Sequence, residues 1–283
     1  MAIVTNTFLT FDAIGNREDL SDIIYNVSPT ETPFQAMAGK ATAKAVLHEW
    51  QTDAIAAAAA NAQLEGDDFT FSAVVATTRL VNRCQISYET VIVSGTQDAV
   101  DKAGRNREIV YQLALKGKEL RRDIEFVLTN NQAPVTGNST TARAIRPLVG
   151  WYSTNDARGA GGVDGTSSAA ATDGTQRAFT EVLLQGVLQD VWTNSSGVAD
   201  VIMSGAFNKR QFSTFAGNAT RYVDAESKAL YAGVDVYVSD FGRHKVYPNR
   251  FQRTRDVHVL NMDYWAIAWL RPIRSMDIAK TGD

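Results

Sequence analysis

Between Ala45 and Thr78 the chain carries five carboxylates, Glu49, Asp53, Glu65, Asp67 and Asp68, and neither a lysine nor an arginine. A β-rich run, AVLHEWQTD, leads into this interval and a second, TTRLVNRCQISYETVIVS, leads back, so the pattern predicts a long hairpin. Its tip, AIAAAAANAQLEGDDF, is small, polar and acidic. An isolated two-stranded hairpin is marginal in water, and one with so little apolar content at its tip cannot fold on a core of its own. The segment must lean on something else, and every fold considered for the chain has to supply that support.

The rest of the composition is ordinary. At 283 residues, with 45% apolar and 21% charged residues, the chain is long enough for one large or two modest domains with a real core. A net charge of -3 and a pI near 5.7 provide no global attraction to nucleic acid or to an anionic membrane. The single cysteine, Cys84, precludes an internal disulfide and sits in a strand-like run, where a small buried hydrophobe is expected. The opening MAIVTNTFLTFDAIGN lacks the basic and apolar regions of a signal peptide, so synthesis in a cytoplasm is expected. The run AIAAAAANA is far short of the roughly 20 apolar residues of a membrane span. The N-x-S/T triplets at Asn26, Asn138, Asn194 and Asn218 are then chance matches.

Residues 1–16 show no helical period, and Phe8 and Phe11 are poorly placed to bury against their own neighbours, which predicts an extended arm. A short helix over 17–25 follows. The stretch NVSPTETPFQAMAGK then carries two helix starts in succession, Ser28-Pro29 with Glu31 and Thr32-Pro33 with Gln35, each with a cap residue, a proline at the first helical position and an acid or amide behind it. Pro33 breaks continuity between them and Gly39 is expected to end the second, so the segment reads as a joint. A long amphipathic helix is predicted over 101–130, with Ile109, Leu113, Leu120, Ile124, Val127 and Leu128 on one stripe and Arg121 and Glu125 as an i,i+4 pair. A turn-rich stretch covers 131–177, and a second helix uses Phe179, Val182, Leu183, Val187, Leu188 and Val191. A buried strand in ADVIMSG, a short helix in AFNKRQFSTFAG, a hairpin over 231–247 turning near residues 240–242 and strands within 256–273 complete an α+β chain.

The residues do not assemble a recognisable catalytic pattern. His48, His244 and His258 are scattered, with no second cysteine to make a zinc set. The glycines at 159, 161, 162 and 165 lack the lysine and the strand–helix frame of a phosphate loop. Asp67 and Asp68 are adjacent in a tip where nothing desolvates them, so solvated loop acids are expected rather than a metal site. Cations concentrate near the end, at Arg243, Lys245, Arg250, Arg253, Arg255, Arg271 and Arg274. With aromatic neighbours this is either a nucleic-acid patch or a basic face that meets an acidic one, and the chain supplies an acidic one itself.

In order and wording, the arm, SPTETPF, HEWQTD, the acidic tip, the β return and the long helix resemble the major capsid (major head) proteins of tailed bacteriophages with the Hong Kong 97-type fold. The resemblance implies residues 1–44 as an N-terminal arm and 45–100 as an extended loop, lying over a neighbour, with its β return. It implies 101–150 as the spine helix and peripheral domain, 151–250 as an axial α/β lobe, and 251–283 as strands returning to the peripheral domain. The implied function is a structural protein, not an enzyme, that self-assembles through pentamers and hexamers into the icosahedral shell enclosing phage DNA. No cofactor and no metal are implied. Its partners would be copies of itself, with a separate scaffolding protein, a portal and a decoration protein possible, packaged DNA only by non-specific proximity, and no membrane. The implied location is the virion capsid. The prototype's loop lysine, which forms a cross-link, has no counterpart between Lys44 and the end of the return strand, so such cross-linking is not expected, and in place of the prototype's cleaved N-terminal scaffold segment a separate scaffolding protein or none is expected.

Phe8, Phe11, Pro33, Glu65, Asp67, Asp68, Arg121 and Arg122 are the candidate assembly contacts, the acids docking on basic residues of the long helix or the C-terminal strands of a neighbour. A tail or decoration component is the alternative virion reading. An enzyme with an unrecognised site and a nucleic-acid-binding module are the remaining classes.

Overall fold

The computed structural model describes residues 28–69, 71–195, 197–215, 223–224, 229–230 and 235–278. The extended arm with Phe8 and Phe11, and the helix expected at 17–25, lie outside the described residues. The chain divides into two compact units, one of Met1–Thr30, Glu89–Glu119 and Ser275–Asp283, the other of Glu31–Tyr88 and Leu120–Arg274.

The larger unit begins with helix α1 (Pro33–Met37), strand β1 (Gly39–Thr42) and the hairpin strands β2 (Leu47–Thr52) and β3 (Thr78–Arg83). The hairpin pairs antiparallel from Leu47↔Arg83 to Thr52↔Thr78. The predicted return strand stops at Arg83; beyond the Cys84 N–H, which donates to Val46 O at 2.8 Å, residues 85–94 form no strand. Alternating β-branched residues are only a strand when a partner ladder takes their backbone groups, and among the described residues none pairs with them. Only the second of the two predicted helix starts forms a helix: residues 28–31 are irregular, Thr32 is the N-cap of α1 and Pro33 occupies its first turn. Gly39 does not end the helix by a left-handed turn. Ala38 is already extended, and Gly39 opens β1 by donating its N–H to Trp265 O at 2.9 Å.

Four strands form the central sheet in the order β7-β8-β4-β9, where β4 is Val201–Ser204, β7 Val236–Ser239, β8 Gly242–Pro248 and β9 Val257–Leu260. Two-residue strands β5 (Val223–Asp224) and β6 (Ala229–Leu230) pair with each other. β4 is parallel to β8 and antiparallel to β9, while β7 and β8 form the expected hairpin around residues 240–242. A further strand, β10 (Ala266–Trp269), pairs parallel with β1.

Because residues in register share a face, the sheet's two sides can be read directly from its ladders. One side presents Tyr237, Val246, Ile202 and Val259 to helices α4 (Glu181–Asn194) and α5 (Ala206–Phe212), which add Leu184, Leu188 and Phe212 to that core. The opposite side presents Val201, Met203 and Leu260 to Phe34, Ala38, Leu148 and Met262. α4 turns only part of the expected face inward: Leu188 is buried with Phe179 and Val191 packed beside it, Leu184 joins them, and Val182 is 77% exposed. Apolar residues lie on more than one side of this helix, so periodicity cannot choose between them.

The turn-rich stretch is held to its own unit by specific contacts. The Arg146 guanidinium donates to Gly165 O at 2.8 Å and lies 4.2 Å from the centre of the Trp151 ring, and Arg158 pairs with Asp156 and Asp164. Gly159 and Gly174 lie so close that a Cβ on either would overlap the opposite backbone, Thr175 for Gly159 and Gly159 itself for Gly174. That close approach accounts for these glycines without a phosphate.

In the smaller unit, helix α2 (Gly95–Ala99) is capped by Ser94, whose Oγ accepts from Gln97 N–H at 3.2 Å. The long helix α3 starts in this unit and runs Glu108–Thr129, 22 residues, about 33 Å at 1.5 Å per residue. It starts seven residues later than expected from 101, since Gly104 takes a left-handed φ of 76° and Asp98 caps the helix by accepting from Ile109 N–H at 3.2 Å. Within this unit Lys116 bridges Glu89 and Glu119 at 3.3 and 2.6 Å.

Candidate assembly surfaces

The hairpin is anchored at its root and unsupported beyond it. Asn82 exchanges two hydrogen bonds with the Arg146 backbone, at 2.9 and 3.1 Å, and Trp50 packs against Trp151 with ring centres 5.3 Å apart. Further out, Glu49 pairs with Arg79 and Thr77 Oγ1 donates to Gln51 Oε1 at 2.9 Å. Past Thr52 the ladder ends. Glu65, Asp67 and Asp68 are exposed, with Gly66 at φ 86° in the turn between them. Ile55, Phe69, Phe71 and Val74 are each more than nine-tenths exposed. Large apolar side chains are thus left in water along the same loop as the acids.

Pro33 sits in a joint whose key member the sequence did not reveal. The Glu125 carboxylate of α3 is fully buried and accepts from Phe34 N–H at 2.8 Å, Gln35 N–H at 3.0 Å, Gln35 Nε2 at 3.2 Å and Asn249 Nδ2 at 2.8 Å. It therefore takes over the free N–H groups of α1 that Thr32 was expected to satisfy; the Thr32 side chain makes no cap bond. Gln35 donates to Arg121 O at 2.7 Å instead of reaching back to its own cap. The expected Arg121–Glu125 pair is thus replaced. A carboxylate surrounded by four donors has no need of a surface guanidinium, and the donors lie 90 or more residues away in sequence, beyond any local pattern.

The cations divide into spent and unspent. Arg122, expected to be available for docking, is half-buried with its guanidinium 5.3 Å from the centre of the Phe251 ring. Arg253 and Arg255 both pair with Asp173, and Arg253 also with Asp256 at 3.3 Å, so these two hold the turn-rich stretch in place. Arg121, Arg243, Lys245, Arg250, Arg271 and Arg274 are exposed and have no ion pair among the described residues.

The histidines of the sheet are structural. His244 is buried, with Nδ1 2.7 Å from Ala199 O and Nε2 2.7 Å from Ser239 Oγ, an arrangement that suits the neutral ring, and burial lowers its pKa. His258 lies 3.1 Å from Tyr152 Oη, and burial, aided by the nearby Arg253, pushes it down to about 3. Burial likewise raises the Asp256 carboxyl against the pull of Arg253. Among the described residues no three His, Cys, Asp or Glu side chains are grouped to hold a metal ion, and no helix is long and apolar enough to cross a membrane. Cys84 is half-buried rather than fully enclosed, because the strand it was expected to occupy ends one residue earlier; its thiol faces Ala45 O at 3.6 Å, and burial raises its pKa.

Comparison with known proteins supplies a family for this chain. The major capsid protein of Escherichia phage Phieco32 is 27% identical over 317 residues, which cover 97% of this chain and 89% of that protein. The family model for the SU10 major capsid protein matches residues 3–283. With that match spanning almost the whole sequence, the chain belongs to the SU10 major capsid protein family, and it is a structural protein of the tailed-phage virion shell.

Proposed function

We propose that the chain forms its shell as a Hong Kong 97-type subunit, assembled through pentamers and hexamers into an icosahedral container for phage DNA. In this reading residues 1–44 are the arm and 45–100 the extended loop and its return. Residues 101–150 are the spine helix and peripheral domain, 151–250 the axial lobe, and 251–283 the returning strands. The acidic loop lies on a basic surface of a neighbouring copy; any scaffolding, portal or decoration protein binds the assembled shell or its precursor, and DNA lies near it without specific recognition. The protein acts by assembly, not catalysis.

The observation that carries the reading is the loop beyond Thr52, whose acids and large apolar residues are left in water by a subunit that anchors only the hairpin root. Burying one such side chain is worth about 1.5–3 kcal/mol, so a repeated contact of this kind supplies cohesion, while exposed charge pairs add register and partner choice more than strength. Reversing Glu65, Asp67 and Asp68 together to Lys tests it. The subunit is expected to keep its melting temperature, because these groups are exposed, and to lose particle formation by electron microscopy. Normal particles from the triple variant refute loop docking by charge.

A further inference from the structure

The central sheet is covered unequally. On the side that bears Val201, Met203, His258 and Leu260, strands β4 and β9 are buried at 3% exposure or less. The same side of β7 and β8 is open: Val236 and Val238 are 51% and 67% exposed, opposite Lys245 and Arg243 in register. Tyr247 continues the row, in register with buried Met203. We infer that this open half of the sheet is a contact surface between copies of this chain, and that it receives the acidic, aromatic loop 53–77 of a second copy. The inference rests on the loop-docking reading above and names the surface that the loop meets.

Charge and spacing select the occupant. Arg243 and Lys245 have no ion pair among the described residues, and they stand two residues apart on a regular strand, roughly 7 Å along one face. Valines lie beside them across the ladder, so the surface alternates cation and apolar group. Asp67, Phe69 and Phe71 bring one acid and two aromatic groups at the same two-residue spacing, the acid for a cation and the rings for the valines. Of the other cations near the C-terminus, Arg253 and Arg255 are committed to Asp173, Arg250 lies outside the strands, and Arg271 and Arg274 lie in a segment without strand pairing. Twelve residues lie between Thr52 and Glu65, thirteen Cα steps and a reach of up to roughly 45 Å for extended chain, enough to cross the face of a neighbouring domain. Ring-forming contacts join two different patches, so a basic patch and an acidic patch on one chain are complementary in the way a closed ring needs.

The test labels the face directly. Val238→Cys is made in the full-length chain, with the unsubstituted chain and its Cys84 as the background, and maleimide reaction rates are compared for dissociated subunits and assembled particles. The expected result is a fall of at least about tenfold on assembly, as water is excluded from the centre of a contact. Carbodiimide treatment of particles, followed by peptide mass spectrometry, is expected to join Lys245 to Glu65, Asp67 or Asp68 of another copy, and to give no such product in dissociated subunits. Equal labelling in particles and subunits overturns the inference. Protection of the introduced thiol with Lys245 joined to another segment or another protein overturns the assignment of the loop as occupant. If Val238→Cys prevents folding, the carbodiimide product in unsubstituted particles decides alone. The two readings fail separately: a charge-reversed loop that abolishes particles, together with an introduced thiol that stays reactive in unreversed particles, means that the loop docks elsewhere, whereas normal particles from the charge-reversed loop refute docking itself.

Discussion

Replacing Glu125 with alanine is the sharpest test of how the joint at α1 is held. The carboxylate accepts four hydrogen bonds, two from backbone N–H groups of α1, one from Gln35 Nε2 and one from Asn249 Nδ2, and it is fully buried. Truncation leaves Phe34 N–H and the Asn249 amide buried without their acceptor. Each unsatisfied buried donor costs about 1–3 kcal/mol, and the shared loss of one acceptor makes the terms less than additive. A total of about 3–5 kcal/mol follows, comparable with removing one partner of a buried ion pair, and a large part of the roughly 5–15 kcal/mol that holds a domain folded. Glu125→Gln keeps one carbonyl acceptor but points an NH2 group at other donors, for an expected cost of about 1–3 kcal/mol. The assay is urea unfolding of dissociated subunits, followed by tryptophan fluorescence, with Arg121→Ala as the control. Were the two residues an ordinary surface i,i+4 pair, both variants would cost about 0.3–0.5 kcal/mol. The structure requires a wide gap between them. A Glu125→Ala cost below about 0.5 kcal/mol would falsify the joint.

Two further outcomes are expected. His258 is held at about 3, below its ordinary value of 6.5, so the unfolded chain binds the extra proton: its stability contribution is complete above pH 6.5 and is lost as pH falls toward 3. Between pH 6.5 and 5 the loss is about 2 kcal/mol from this group, read as a falling urea midpoint, with His244 adding in the same direction. Asp256 is shifted upward and works the opposite way at lower pH, so the comparison is made above pH 5, and His258→Gln should flatten it. Pro33→Ala frees an N–H in the first turn of a helix already capped by Glu125 and should cost less than about 1 kcal/mol while altering particle yield or shape, because it loosens the angle at which the preceding chain leaves. A collapsed melting temperature with normal particles would place Pro33 in ordinary core structure.

What was legible in the sequence was whatever depends on neighbours in the chain. The hairpin over 47–83, the acidic tip, the buried strand at Val201–Ser204, the short helix at Ala206–Phe212 and the turn at residues 240–242 all follow from alternation, turn residues and local charge. The phrases SPTETPF and HEWQTD pointed to a capsid protein, and the family match agrees. Local rules failed where a distant group supplied what the neighbours were expected to supply. Thr32 lost its cap to Glu125, the first helix start stayed unformed, and the strand promised after Arg83 found no ladder among the described residues.

The cations show the same division. Sequence alone placed seven of them near the C-terminus and an acidic loop near the start, and so determined that the chain carries opposite charges for separate surfaces. Only the tertiary structure decided which charges remain available, by folding Asp173 onto Arg253 and Arg255 and leaving Arg243 and Lys245 on an open sheet face. The reason is physical: helix and strand periods act over a few residues, whereas burial and pairing depend on which remote side chains the packed core brings within a few ångströms.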